Sequence, residues 1–123
     1  MMNNYDREVK ERWGDTVAYQ EYEKKTAAYT TDKWQRANDG LNEILAKFAE
    51  CKRSGHTADS IEAQTLVKEM QNYITDNYYH CTGEILAGLG QMYVADKRFK
   101  NNIDKHAPDT AEFISKAIEI YRR

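Results

Sequence analysis

Three groupings in this 123-residue sequence have the residue types of chemical sites. His80 and Cys81 are adjacent, and a cysteine nucleophile with its base is built from such a pair. Neighbours on a helix, however, point about 100° apart and do not face each other, so adjacency there speaks against a dyad. A carboxylate-bridged metal pair in a helical bundle requires repeated Glu-x-x-His, and His56, His80 and His106 all lack a glutamate three residues before them. Gly88-Leu89-Gly90 begins like a dinucleotide loop but falls inside a helical period, follows no strand and lacks the third glycine. No catalytic residue, metal or cofactor is therefore expected, and an enzyme is not the expected reading. Asp96 and Arg98 are read as fixing a turn that sends Phe99 into the core, with Arg98 bonding helix-end carbonyls or a carboxylate. Cys51, among Glu50, Lys52 and Arg53, reads as an inert surface residue.

Aromatic residues are the more telling group. Nine tyrosines, two tryptophans and three phenylalanines make up 11% of the chain. A tyrosine ring offers flat apolar area while its hydroxyl meets polar groups or water, which suits the wall of a cleft for bulky amphipathic molecules. The plainer reading is that Tyr73, Tyr78, Tyr93 and Tyr121 fill a helical core, and it is preferred for Tyr73 and Tyr121. Tyr78 and Tyr79 take different faces of one helix end, so at least one must leave the main stripe. Gly83, Gly88 and Gly90 crowd one helix at a cost of about 1 kcal/mol each relative to alanine. They either let a neighbouring helix come close or leave open volume for a ligand.

The elements that carry these residues read as an all-α domain, because glycine and proline are rare and apolar residues recur at intervals of three and four. A first stretch covers Tyr5 to Arg12 and stops near Trp13-Gly14; Asp15 or Thr16 caps a second, running to about Ala28. Thr31 caps a third helix striped by Trp34, Ala37, Leu41, Ile44, Leu45 and Phe48 and ending around Lys52 to Gly55. Asp59-Ser60-Ile61-Glu62 has the pattern of a capping box, and Ile61, Leu66, Val67, Met70, Tyr73, Ile74 and Tyr78 make an inner face behind it. The chain bends or continues near Cys81-Thr82-Gly83. Ile85, Leu86, Leu89, Met92 and Tyr93 define the next helix, ending close to Asp96, and a short turn carries Phe99 and Ile103 up to Pro108. Asp109 with Glu112 caps a last helix facing inward through Phe113, Ile114, Ala117, Ile118 and Tyr121.

Composition narrows the function classes. With 18 Lys+Arg against 20 Asp+Glu the net charge is -2, so the basic footprint of a domain that grips a phosphate backbone is missing and no direct nucleic-acid contact is expected. No transmembrane helix or secretory signal is discernible, and two cysteines without CxxC spacing suggest a reducing, cytoplasmic setting without a disulfide framework. The residues before Tyr29 carry few large apolar groups among many charges. Ordering them costs about 1–2 kcal/mol per residue for the backbone alone.

Arg12-Trp13-Gly14-Asp15-Thr16 with Tyr19 downstream, then Trp34, Tyr79-His80-Cys81 and Met92-Tyr93-Val94-Ala95-Asp96-Lys97-Arg98-Phe99 resemble the TipAS family of antibiotic-recognition domains in order and spacing. The resemblance spans about Tyr5 to Tyr121. It implies a single globin-like helical domain without haem, the C-terminal effector half of a MerR-type transcriptional activator, which is also made alone from an internal start. Such a domain takes large apolar antibiotics, thiopeptides among them, into a deep cleft, and its mobile N-terminal helices close over the ligand. On this reading residues 1–30 are the lid and 31–123 the antibiotic-binding core. Trp13, Tyr19 and Tyr22 close over a cleft walled by Tyr78, Tyr79, Ile85, Leu89 and Tyr93. The helix-turn-helix and coiled-coil parts of full activators are not in this sequence. The chain is thus expected to be the excised effector domain, partnered by a DNA-binding half, or a self-standing form that sequesters the drug; a monomer is expected in isolation.

Cys81 has two readings. In thiostrepton-binding relatives a cysteine thiolate adds to a dehydroalanine of the antibiotic, a step that needs an accessible, ionised sulfur. Cys81 lies in the matching Tyr-x-Cys segment, yet the reacting cysteine of those relatives falls two turns later, at Gly88 here. Gly83 replaces a bulkier residue and Leu86 a usual histidine. Cys81 is either the covalent anchor or a buried structural thiol.

Overall fold

The computed structural model describes residues 16–122. The expected first helix over Tyr5 to Arg12, its stop at Trp13-Gly14 and a cap by Asp15 lie outside the described residues. Among the described residues the elements are α1 (Val17–Thr26), α2 (Thr31–Arg53), α3 (Ile61–Asn77), α4 (Gly83–Ala95), α5 (Lys97–Asp104) and α6 (Thr110–Tyr121), with no strand.

Each helix starts where a short polar side chain can take an orphan amide. The Thr16 hydroxyl accepts from the Tyr19 N–H, Thr30 from Lys33, Ser60 from Ala63 and Thr82 from Ile85, all at 3.1–3.2 Å. The caps of α2 and α3 thus fall one residue away from the expected Thr31 and Asp59. In each case the neighbouring hydroxyl has the extended backbone that a cap requires. The long α2 stops at a Schellman turn: Gly55 takes φ +88°, its N–H donates to the Lys52 carbonyl and the His56 N–H donates to that of Cys51.

The core lies around α6, which packs against α2, α3, α4 and α5. Its Ala111, Ile114, Ala117 and Ile118 are buried and meet Phe48 of α2, Val67 and Met70 of α3, Leu86 of α4 and Ile103 of α5 in one cluster. The glycine question divides by position. A methyl at Gly90 would sit 3.3 Å from the Ile118 side chain, so this glycine lets α4 lie close on α6, whereas Gly88 has nothing within 4 Å. Gly83 lies under the Arg122 guanidinium, 2.5 Å from where a Cβ would stand.

Three expectations are corrected. Ile61 is 82% exposed, because the buried face of α3 runs through Ala63, Val67, Met70 and Ile74 and the first helical residue points away from it. Cys51 is buried: it stands seven residues after Ile44 on the inner stripe of α2, and burial pushes its thiol pKa up. Asp109 gives α6 no side-chain cap; it takes a left-handed φ of +63°.

Asp104, five residues upstream, does the capping instead, accepting from the Ala111 N–H at 2.9 Å and from Lys100 Nζ at 2.7 Å. Burial alone would raise its pKa; the bonds from Ala111, Lys100 and Thr110 outweigh that and hold the carboxyl below its ordinary value. A folded pKa below the unfolded one contributes stability above about pH 4 that is lost as the pH falls through the lower value. Asp104→Ala should cost about 1 kcal/mol and lower Tm by roughly 4–8 °C at pH 7, with the deficit shrinking near pH 3. Equal melting of the two proteins at pH 7 would remove this role.

Candidate functional site

Aromatic residues from separate elements converge at one end of the bundle. Tyr19 and Tyr22 are one helical turn apart on α1, with ring centroids 5.8 Å apart. Tyr22 lies 6.0 Å from Trp34, in the first turn of α2. Tyr29, between α1 and α2, meets the Trp34 indole edge-on at 5.3 Å, and Tyr78, the C-cap of α3, lies 6.3 Å from it. Tyr19, Tyr22, Tyr29 and Trp34 are half-buried, so this wall keeps apolar area facing outward. Lys33 Nζ stands 5.3 Å from the Tyr29 ring centroid.

The deep end of the wall is fixed by hydrogen bonds. The buried Tyr78 hydroxyl donates to Asn38 Oδ1 at 2.9 Å, and burial pushes its pKa well above the ordinary phenol value. Tyr73 donates to the Ala37 carbonyl at 2.7 Å under the small face of Gly40, and its pKa is raised, by burial first and by nearby Glu43 next. Both phenols stay neutral donors and anchor α3 to α2.

Of the sequence-predicted residues, Tyr19, Tyr22 and Tyr78 come together, joined through Trp34. Tyr79 follows Tyr78 in the break between α3 and α4 and packs half-buried on the core. Ile85, Leu89 and Tyr93 recur every four residues along α4; Tyr93 is buried with its ring 6.0 Å from Phe99, and Ile85 and Leu89 are half-buried. The break carrying Tyr78, Tyr79 and Cys81 joins these two sets in sequence. Trp13 lies outside the described residues. An open depression on the outer face of α3 is lined by Thr65, Lys68, Glu69, Asn72, Tyr73 and Asp76 and contains none of the predicted site residues.

Trp34 belongs to the core stripe of α2 and to the segments that resemble the family, but not to the expected ligand-binding residues. Its place at the N-terminal end of that stripe, one turn before Ala37, is the signal that it reaches past the core toward α1. Asp96 and Arg98 do what their spacing suggests. The Asp96 carboxylate accepts from the Arg98 N–H at 2.9 Å as the cap of α5 and from the Arg98 guanidinium at 2.7 Å.

His80 and Cys81 lie in the break and not on a helix, His80 exposed and Cys81 2% exposed. The Cys81 backbone is held from α3: its N–H donates to Thr75 Oγ1 at 3.1 Å and its carbonyl accepts from Gln71 Nε2 at 2.9 Å. Burial pushes its thiol up to about 11. Among the described residues no group of His, Cys, Asp and Glu could hold a metal ion, and no helix is long and apolar enough to cross a membrane.

An all-helical, globin-like domain with a partly buried aromatic wall is the class that fold and site define. A model of the TipAS antibiotic-recognition domain matches residues 5–121, and the chain belongs to that family. It is 40% identical over 116 residues to the HTH-type transcriptional activator TipA of Streptomyces coelicolor, covering 94% of this chain and 46% of TipA. It is 34% identical over 117 residues to the HTH-type transcriptional activator mta of Bacillus subtilis, covering 95% and 44%. The chain thus spans about half the length of these relatives. Its fold is similar to that of TipAS from Streptomyces lividans, solved in complex with the thiopeptide nosiheptide. The TM-score is 0.86 at 39% identity, covering 96% of this chain and 82% of the other.

A thiol at about 11 has roughly a hundredfold smaller thiolate fraction at neutral pH than an ordinary cysteine, and the sulfur is also enclosed. Cys81 should therefore resist alkylation by iodoacetamide at pH 7.5 until the chain is unfolded, and intact mass should show no adduct after incubation with thiostrepton. Rapid labelling of Cys81 in the folded protein would contradict this.

Proposed function

We propose that this chain is the ligand-sensing effector domain of a MerR-type transcriptional activator, and that it takes a bulky apolar antibiotic of thiopeptide type at the aromatic wall. The observation that carries the reading is the set of rings around Trp34, contributed by α1, the α1–α2 connection, α2 and the end of α3 in a chain of this family. Flat rings with apolar faces and hydroxyl edges suit a large ligand that carries both apolar area and amides.

Tyr19 and Tyr22 on α1, with Trp13 before them, cover the ligand; Tyr78, Tyr79, Ile85, Leu89 and Tyr93 form the floor, and Trp34 holds the two together. Residues 1–30 act as the lid and 31–123 as the receiving core. The domain works by binding, without catalysis, and capture is noncovalent because Cys81 is enclosed and protonated. In a full activator, closure of the lid is passed to a DNA-binding half that this segment does not include. The setting is cytoplasmic, and the isolated domain is a monomer.

A thermal-shift screen should find thiopeptides raising Tm, and amide exchange should show residues 5–29 gaining protection when one binds. Trp34→Ala should weaken that binding by about tenfold or more, the worth of a well-packed aromatic anchor. A Tm unmoved by every large apolar antibiotic, or full affinity in the Trp34→Ala protein, would overturn the reading.

A further inference from the structure

The last turn of α3 has no basic residue, and carbonyls at a helix end have no partner within the helix and carry partial negative charge. Here the last turn is also irregular. The N–H groups of Tyr78 and Tyr79 both donate to the Ile74 carbonyl, so Thr75, next in line, loses the backbone donor that a continuing helix would supply. The missing donors come from far upstream. Lys25 Nζ, on α1, donates to the Thr75 carbonyl at 2.7 Å, and the Tyr29 hydroxyl donates to the Asn77 carbonyl at 2.5 Å. From the other side of the break, the His80 N–H donates to Glu21 Oε2 at 3.1 Å. The charges are matched in sign: an ammonium faces carbonyl oxygens and a carboxylate faces an amide.

Thr75 carries the consequence onward. Its carbonyl takes the Lys25 ammonium while its hydroxyl takes the Cys81 N–H at 3.1 Å, and Cys81 precedes Thr82, the N-cap of α4. One residue thus joins α1 to the backbone that sets where α4 begins. We propose that α1 is the C-cap of α3, supplied from about fifty residues upstream, and that docking of α1 and ordering of the Tyr78–Thr82 break are a single event. When α1 leaves, the Thr75 and Asn77 carbonyls and the His80 amide return to water, and the segment holding Tyr78 and Tyr79 loses its fixed geometry. Any molecule that favours docked α1 therefore also sets the break; the identity of that molecule rests on the function proposed above.

Residue-resolved amide exchange on the ligand-free 123-residue chain tests this, comparing the native protein with Lys25→Met and Glu21→Ala, and with Lys24→Met as a control of equal charge change on the exposed side of α1. Loss of one charged hydrogen bond should speed exchange at the His80 and Cys81 amides about tenfold, together with that of α1, while the Lys24→Met protein and the Ile118 amide in α6 stay unchanged. Faster exchange in α1 with His80 and Cys81 unmoved would overturn the proposal, as would an equal effect of Lys24→Met. Because the exchange is read without ligand, a negative result bears on the cap alone, and the thermal-shift screen continues to decide the function.

Discussion

The seating of α1 on the bundle depends on contact with the indole of Trp34. Tyr22, Tyr29 and Tyr78 reach it from α1, the connection and the end of α3. Deeper in the molecule, α6 is held on four helices by buried aliphatic side chains. At the Trp34 end the chain relies instead on partly buried rings and a few directional bonds. Such contacts are individually small, about 0.5–1.5 kcal/mol for an aromatic pair beyond its buried area. The core and the wall therefore differ in how firmly they are held, and the wall is the part whose stability an added surface would change most.

The polar bonds that close helix ends are of two kinds, and the bonding at the helix starts differs from that at the wall. At the helix starts it is local: hydroxyl caps on α1 to α4, the Asp96 cap on α5 and the Asp104 carboxylate on α6. At the wall it is long-range, with Lys25, Tyr29 and Glu21 bonding backbone atoms of residues 75, 77 and 80. Local caps need only their own helix, whereas the long-range ones need α1 and the connection after it in place. Cys81 lies between the two regimes, buried in the core yet tied through Thr75 to the α1 side, which suits a structural thiol better than a nucleophile.

Much of this was legible in the amino-acid pattern. The α2 stripe from Trp34 to Phe48 and the α6 stripe through Ile114 and Ile118 follow the helical period and are buried or half-buried as that period requires. The segments shared with the TipAS family are those that carry the N-cap of α1, the break before α4 and the cap of α5. Less could be read where two neighbours were chemically alike, as with Thr30 and Thr31, or where a stripe had to be cut at a helix end, as with Ile61. Replacement of Asp109 by Asp104 as the cap of α6, and the service of Thr75 to α1 and Cys81 at once, arise from tertiary approach and have no local signature. Trp34 is a partial case: its type and spacing suit a core residue, only its place at the end of the stripe points past the core, and its partners appear only when α1 is laid beside it.

Trp13 and Trp34 are the only tryptophans, so a Trp13→Phe protein excited beyond the tyrosine absorption band emits from Trp34 alone. Titrating it with a thiopeptide and following that emission tests directly whether the wall is where a ligand is taken. The account predicts a saturable change in intensity or wavelength at one ligand per chain, tracking the rise in heat stability. Stabilisation by the ligand with the Trp34 emission unchanged would contradict it.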